Sequence, residues 1–310
     1  MKILRILSIL FVIAELGLSQ TQPQPQPAAV SPGVKVDQNL LYARAGGKDL
    51  LLDIYRPEKQ EGLIPTVVWI HGGAFRTGNK DDAQTASVTW LATRGYAVVA
   101  INYRLSFEAL FPAQIQDCKA AVRWLRANAN AYRLDPNRIG AWGASAGGHL
   151  AAMLGTSGGV QELEGDLGNQ QESSRVQAVA DFFGPTDFLK MDAAALPGGQ
   201  KHDPADSPES QLVGGPIQEN KAKVARANPI TFVTRNAPPF LILHGDQDPL
   251  VPVNQSELLY DALKRAGVNV TFHKIVGAGH GGPQFGTPIT KAMVLAFLDQ
   301  HLKPALKKEK

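Results

Sequence analysis

A chain of 310 residues, 44% hydrophobic and 19% charged, holds enough apolar material for one large core, which excludes a disordered or fibrous polymer. Its formal charge of +3 comes from the ends: residues 1–19 contribute +1 and the tail from Lys303 contributes +3, leaving the body near −1. No basic stripe remains for a nucleic acid to follow, and the single cysteine, Cys118, allows no disulfide within the chain.

Lys2 and Arg5 precede an apolar run from Ile6 to Ala14, and Gly17-Leu18-Ser19 supplies small residues at a peptidase site. This pattern predicts a signal peptide over 1–19 and a secreted protein, extracellular or periplasmic. The run is short for a bilayer and Glu15 interrupts it, so no stable membrane insertion is expected after cleavage. Gln22-Pro23-Gln24-Pro25-Gln26-Pro27 then predicts an extended linker over 20–33. A catalytic domain is expected over 34–303, followed by a basic tail at 304–310.

Within that domain the pattern is strand-like from Gln38, and Leu50 to Tyr55 reads as an early strand. Thr66 to Ile70 is fully apolar, as a strand covered on both faces would be. A helix is predicted from Asp82 to Arg94, stopped by Gly95, then a strand over Ala97–Ile101 and a helix over Ala113–Ala129 that buries Cys118. Asp135-Pro136-Asn137 predicts a turn, Ile139 to Gly143 a strand and Ala146 to Leu154 a helix. Further strands are expected at Val176–Phe183, Phe240–Leu243 and Val270–Val276, with helices at Ser256–Ala266 and Thr290–Leu302. Such alternation predicts an α/β fold: one mostly parallel central sheet with helices on both faces. Residues 196–236, rich in Pro, Gly, Asp and Ser, break the rhythm and are expected to form an insertion near the active site that helps wall it.

Gly143-Ala144-Ser145-Ala146-Gly147 matches G-x-S-x-G between a predicted strand and a predicted helix. A tight turn there would lift Ser145 above the sheet edge as a nucleophile, beside helix N–H groups that favour negative charge. His71-Gly72-Gly73-Ala74-Phe75 follows the Thr66–Ile70 strand. The N–H groups of Gly72, Gly73 and Ala146 are therefore the expected oxyanion hole. Phe75 is a candidate substrate contact or a packing residue, and His71 a structural one. An acid and a base should follow the serine in the chain. Asp248, past the end of the Phe240–Leu243 strand, is the expected acid, with Asp246 as fallback. His280, in the loop Gly277 to Gly282, is the expected base. His149 and His244 are expected to point away or lie within a strand, and His202 and His301 to be solvated. Asp117 and Asp187 read as structural carboxylates and Trp142 as core.

Together these motifs resemble the α/β-hydrolase esterases, most closely the feruloyl- and acetyl-esterase-like branch next to the hormone-sensitive-lipase group. Leu52-Asp53-Ile54-Tyr55, Asn102-Tyr103-Arg104-Leu105 and Gly184-Pro185-Thr186-Asp187 are also similar to that branch. The similarity runs from about Val36 to His301. Hormone-sensitive-lipase relatives usually carry a third glycine at the place of Ala74 and an acidic residue at that of Ala144, which favours the neighbouring branch. The resemblance implies the α/β-hydrolase fold and the same roles for Ser145, Asp248 and His280.

The expected reaction is hydrolysis of a carboxylic ester through an acyl-enzyme, with no metal or organic cofactor. Small-molecule or carbohydrate-linked esters with short acyl or aryl groups, feruloyl and acetyl esters among them, are the expected substrates; a polyester is a further one. An amide hydrolase on the same triad and a non-catalytic binding module are the alternatives.

Overall fold

The computed structural model describes residues 31–303. The expected signal peptide, the linker up to residue 30 and the tail 304–310 lie outside the described residues. Strands β1 (Val34–Ala45) and β2 (Lys48–Pro57) form an antiparallel pair at one edge. The remaining strands are β3 (Ile64–Ile70), β4 (Ala97–Ile101), β5 (Leu134–Ala144), β6 (Ala178–Phe182), β7 (Phe240–Gly245) and β8 (Val270–Ile275). All eight make one sheet in the order β1-β2-β4-β3-β5-β6-β7-β8, with every pair from β4 to β8 parallel. The expected α/β architecture is present, and the sheet is as parallel as the alternation predicted.

Strand side chains alternate between two cores. Val68, Ile70, Val99, Ile101, Ala141 and Ile242 face one; Val67, Trp69, Val98, Ala100, Trp142 and Leu243 face the other. β3 and β4 are therefore buried at every position, which is why they read as unbroken apolar runs. The first core is covered by α1 (Ala113–Ala127), α2 (Ala146–Thr156) and α5 (Asn254–Arg265), where Cys118 is fully buried. The second is covered by a 3₁₀ turn at Thr89–Arg94 and by α6 (Pro288–Leu302). Segment 196–236 carries α3 (Pro208–Val213) and α4 (Lys221–Ala227), whose Leu212 and Val224 join the first core. Among the described residues no helix is long and apolar enough to cross a membrane.

Two local expectations change. The helix predicted over 82–94 is split into one turn, Ala83–Ala86, and the 3₁₀ turn. Asp82 Oδ1 accepts from Gln84 and Thr85 N–H to cap the first piece, while β-branched Val88 and Thr89 sit at the break. Gly95, at φ 85°, ends the second piece as predicted. The turn predicted at 135–137 is present, with Asn137 N–H donating to Asp135 Oδ1 at 2.8 Å, but it interrupts the register inside β5, where Ile64 pairs with Leu134 while Thr66 pairs with Ile139.

Candidate active site

Ser145 occupies the turn between β5 and α2, at the C-terminal end of the parallel strands, where α/β sheets place their ligands. Its backbone sits at φ 56°, ψ −123°. A non-glycine residue there stores about 1–3 kcal/mol of strain. The strain is held by Ser145 N–H, which donates to Phe182 O at 2.9 Å, and by His149 N–H, which donates to Ser145 O at 3.0 Å. The side chain makes no helix-capping hydrogen bond. Its neighbours must be glycine: a Cβ on Gly147 would lie 1.9 Å from Ile70 O, and one on Gly143 would lie 2.1 Å from Gly147 O.

Loops after β7 and β8 bring Asp248 and His280, the expected acid and base, to this turn. His280 Nε2 is 2.9 Å from Ser145 Oγ, and its Nδ1 is 2.7 Å from Asp248 Oδ2. The carboxylate can only accept, so Nδ1 carries the proton and Nε2 is free to accept from the serine hydroxyl. Asp248 Oδ1 accepts from the N–H groups of Leu250 and Val251 at 2.8 and 2.9 Å. Burial pushes this carboxyl up, but hydrogen bonds from His244 and His280 outweigh it and hold Asp248 well below the usual carboxylate range. Asp246 is engaged elsewhere, accepting from Gly277 N–H at 2.7 Å.

His244 escapes the sequence reading. Its Nε2 lies 3.1 Å from Asp248 Oδ2 and 2.9 Å from Val251 O, and its Nδ1 lies 2.7 Å from Ser256 Oγ. Because the Val251 carbonyl can only accept, Nε2 bears the hydrogen, and the ring shares with His280 the same carboxylate oxygen, Oδ2 of Asp248. The available clue was a histidine at the last turn of a strand, four residues before the acid. His202, expected in solvent, is buried as well: it contacts Glu209 at 2.8 Å and Leu250 O at 2.9 Å, tying segment 196–236 to the Asp248 loop. His149 points into the core, where burial lowers it to about 4 against a contact with Pro185 O. His71 is structural as expected, stacked on Tyr103 with centroids 4.3 Å apart. Asp117 is structural too, pairing with Arg104 at 2.6 Å.

The expected oxyanion hole needs one correction. Gly72 N–H is already taken, donating to Gln84 Oε1 at 3.0 Å, because the short helix after Asp82 lays Gln84 over the loop. Gly73 and Ala146 N–H have no acceptor in the described chain, so the free donors beside Ser145 come from these two. Phe75 also departs from expectation as a substrate contact. Its backbone at φ 60° turns the ring inward, where it is 1% exposed and packs edge-on to His149.

A cavity of about 640 Å³ opens beside Ser145 and His280 and extends into the second core. Trp69, Trp142 and Phe182 floor it, with Trp142 edge-on to both neighbours at 5.4 and 5.2 Å, so Trp142 is a cavity wall rather than plain core. Its other walls come from residues 73–90 and 280–294 together with Ala144, Ser145, Phe183 and Leu250, and none of them from 196–236. That segment instead packs on the first core and reaches the rim through Asp206 O, which accepts from Arg76, through His202 on Leu250 and through Gln200 N–H on Pro249 O. Among the described residues no three His, Cys, Asp or Glu side chains cluster as metal ligands.

Beneath the nucleophile turn lies Asp181, which accepts from Gly184 N–H at 3.0 Å through Oδ1 and leaves Oδ2 without a partner. Burial pushes it up to about 7 from 3.8 against the pull of that bond. The folded state thus binds this proton more tightly than the unfolded chain, a stabilisation complete below pH 4 and lost as pH rises through 7. Asp181→Asn is expected to match the wild type near pH 4 and exceed it at pH 8 by up to roughly 4 kcal/mol. Denaturant unfolding at both pH values checks this; a variant less stable at pH 8 would refute it.

Comparison with known proteins places this geometry. The BD-FAE family model matches residues 52–263. A truncated carbohydrate esterase from gut microbiota is 35% identical, with a TM-score of 0.77 over 89% of this chain and 98% of that one. Esterase 2 of Thermogutta terrifontis, solved with propionate, is 27% identical, with a TM-score of 0.71 over 88% and 97%. The probable carboxylic ester hydrolase LipM of Mycobacterium tuberculosis is 35% identical over 74% of this chain and 52% of its own length. The chain spans about half to three-fifths of such curated relatives. With the fold, the Ser145 turn and the family match in agreement, this chain belongs to the BD-FAE family of α/β-hydrolase esterases, near the hormone-sensitive-lipase group.

Proposed function

We propose that the protein is a serine carboxylic-ester hydrolase that works through an acyl-enzyme. The observation that carries this is the continuous chain of hydrogen bonds from Ser145 Oγ through His280 to Asp248, at 2.9 and 2.7 Å, beside two free backbone donors. His280 takes the proton from Ser145 as Oγ attacks the ester carbonyl, and Asp248 stabilises the imidazolium. Gly73 and Ala146 N–H receive the developing oxyanion, each such donor contributing about 3 kcal/mol to the transition state in enzymes of this type. His280 then protonates the leaving alcohol and activates the water that releases the acid.

Short acyl or aryl esters fit best. The cavity is finite and aromatic-walled, one neighbour is a carbohydrate esterase and another was solved with propionate. Acetyl or feruloyl esters of plant carbohydrate are the substrates we favour, with export supported by the charged, apolar and small-residue pattern over 1–19. Nitrophenyl esters of increasing chain length test the reading. Hydrolysis is expected to be fastest from acetate to butyrate and to fall steeply beyond; no hydrolysis at any length, with turnover of matched anilides, would replace it with an amide hydrolase.

A further inference from the structure

The cavity beside Ser145 carries a charge pattern that ester hydrolysis does not require. Apart from His280, the ionisable side chains lining it are Arg76 and Lys291, and no aspartate or glutamate lines it. Neither cation has a carboxylate within 4.0 Å among the described residues. Lys291, on the first turn of α6, holds its Nζ 5.7 Å from the ring centroid of Trp90, itself a cavity wall. A cation resting on an aromatic face is positioned but not neutralised, so its charge stays available to a ligand. Arg76 donates through Nη2 to Asp206 O, while its Nε is buried without a partner. The guanidinium therefore keeps its full charge at the cavity wall, where an anionic group entering the cavity would offset it.

Resting on the esterase reading above, we propose that this cavity selects esters bearing a carboxylate on the part of the substrate that does not react. Lys291 and Arg76 would hold the anion while the indole faces of Trp90 and Trp142 receive the sugar or aryl body. The anion could reside on either side of the scissile bond, in an acidic sugar or phenolic alcohol or in a dicarboxylic acyl group. Both place a carboxylate at the same two cations.

Matched pairs separate these cases. For the alcohol side the probes are 4-acetoxybenzoate and its neutral methyl ester. For the acyl side they are 4-nitrophenyl hydrogen glutarate and 4-nitrophenyl pentanoate. The wild type is expected to prefer the charged member of at least one pair in kcat/KM, and the preference should shrink as salt is added. Lys291→Gln is expected to cut that preference about tenfold, chiefly through KM, and Lys291→Arg to restore most of it. Turnover of nitrophenyl butyrate reports in every case whether the variant is folded and competent. If the neutral esters turn over and Lys291→Gln leaves both charged-to-neutral ratios unchanged, the selectivity proposal is overturned and the esterase stands. If the wild type hydrolyses none of the four, the esterase reading fails and this inference falls with it.

Discussion

Replacing Ser145 with alanine is expected to lower kcat by about 10⁴- to 10⁶-fold while leaving KM and thermal stability close to those of the wild type. The argument rests on what the hydroxyl does and does not touch. Ser145 Oγ meets His280 Nε2 and makes no capping bond to α2, so its removal deletes the attacking atom without unpicking the helix. Alanine keeps the Cβ that the φ 56° backbone already accommodates, so strain does not rise. Asp248 and His280 retain their mutual 2.7 Å contact, and Gly73 and Ala146 still offer their N–H groups. A residual rate above that in water should therefore persist, because the oxyanion donors and His280 can still assist attack by water. Steady-state kinetics on nitrophenyl acetate, paired with a melting curve, checks both halves. Labelling by a fluorophosphonate should add one adduct per wild-type chain and none to the variant. Full activity in Ser145→Ala would remove the nucleophile from the mechanism.

How far the site could be read in advance depended on whether a residue's place follows from its neighbours in sequence. Ser145 lies in a turn whose glycines are forced because a Cβ at Gly143 or Gly147 would fall about 2 Å from backbone oxygens of neighbouring elements, and such constraints leave a motif. His280 and Asp248 follow from the order of strands, because parallel strands deliver their loops to one sheet edge. β3 and β4 were legible because burial on both faces leaves no polar position to blur them. Other features depend on partners remote in sequence. Gln84 occupies the Gly72 N–H through a contact between residues twelve positions apart that no local pattern encodes. Phe75 turns inward because His149 and Phe188 wait there, 74 and 113 positions away in the chain. Trp142 becomes a cavity wall because 73–90 and α6 stand off from the sheet, a gap that no local pattern encodes. The Pro- and Gly-rich character of 196–236 held no information about which face of the sheet the segment would cover.

The second large effect belongs to Asp248. Asp248→Asn is expected to lower kcat by about 10³- to 10⁴-fold, the scale on which a wrong imidazole tautomer costs a serine hydrolase. With the amide oxygen kept at the Oδ1 position, where Leu250 and Val251 N–H donate, the amide NH₂ falls where Oδ2 stood. There it meets His280 Nδ1 at 2.7 Å and His244 Nε2 at 3.1 Å. An NH₂ facing Nδ1 favours the tautomer protonated at Nε2, which cannot take the proton of Ser145. The same NH₂ opposes the hydrogen that His244 directs at it, so two donors compete across a buried contact and the variant should also lose some stability. His244→Gln separates the two functions of this cluster. It leaves His280 and its carboxylate in place, so kcat should drop by only about tenfold, with the pH–rate profile displaced because Asp248 loses one of the bonds that hold it ionised. A merely structural His244 would lower the melting temperature and leave that profile where it was. Equal losses from Asp248→Asn and His244→Gln would instead mean that Asp248 and His244 share the work of orienting the base.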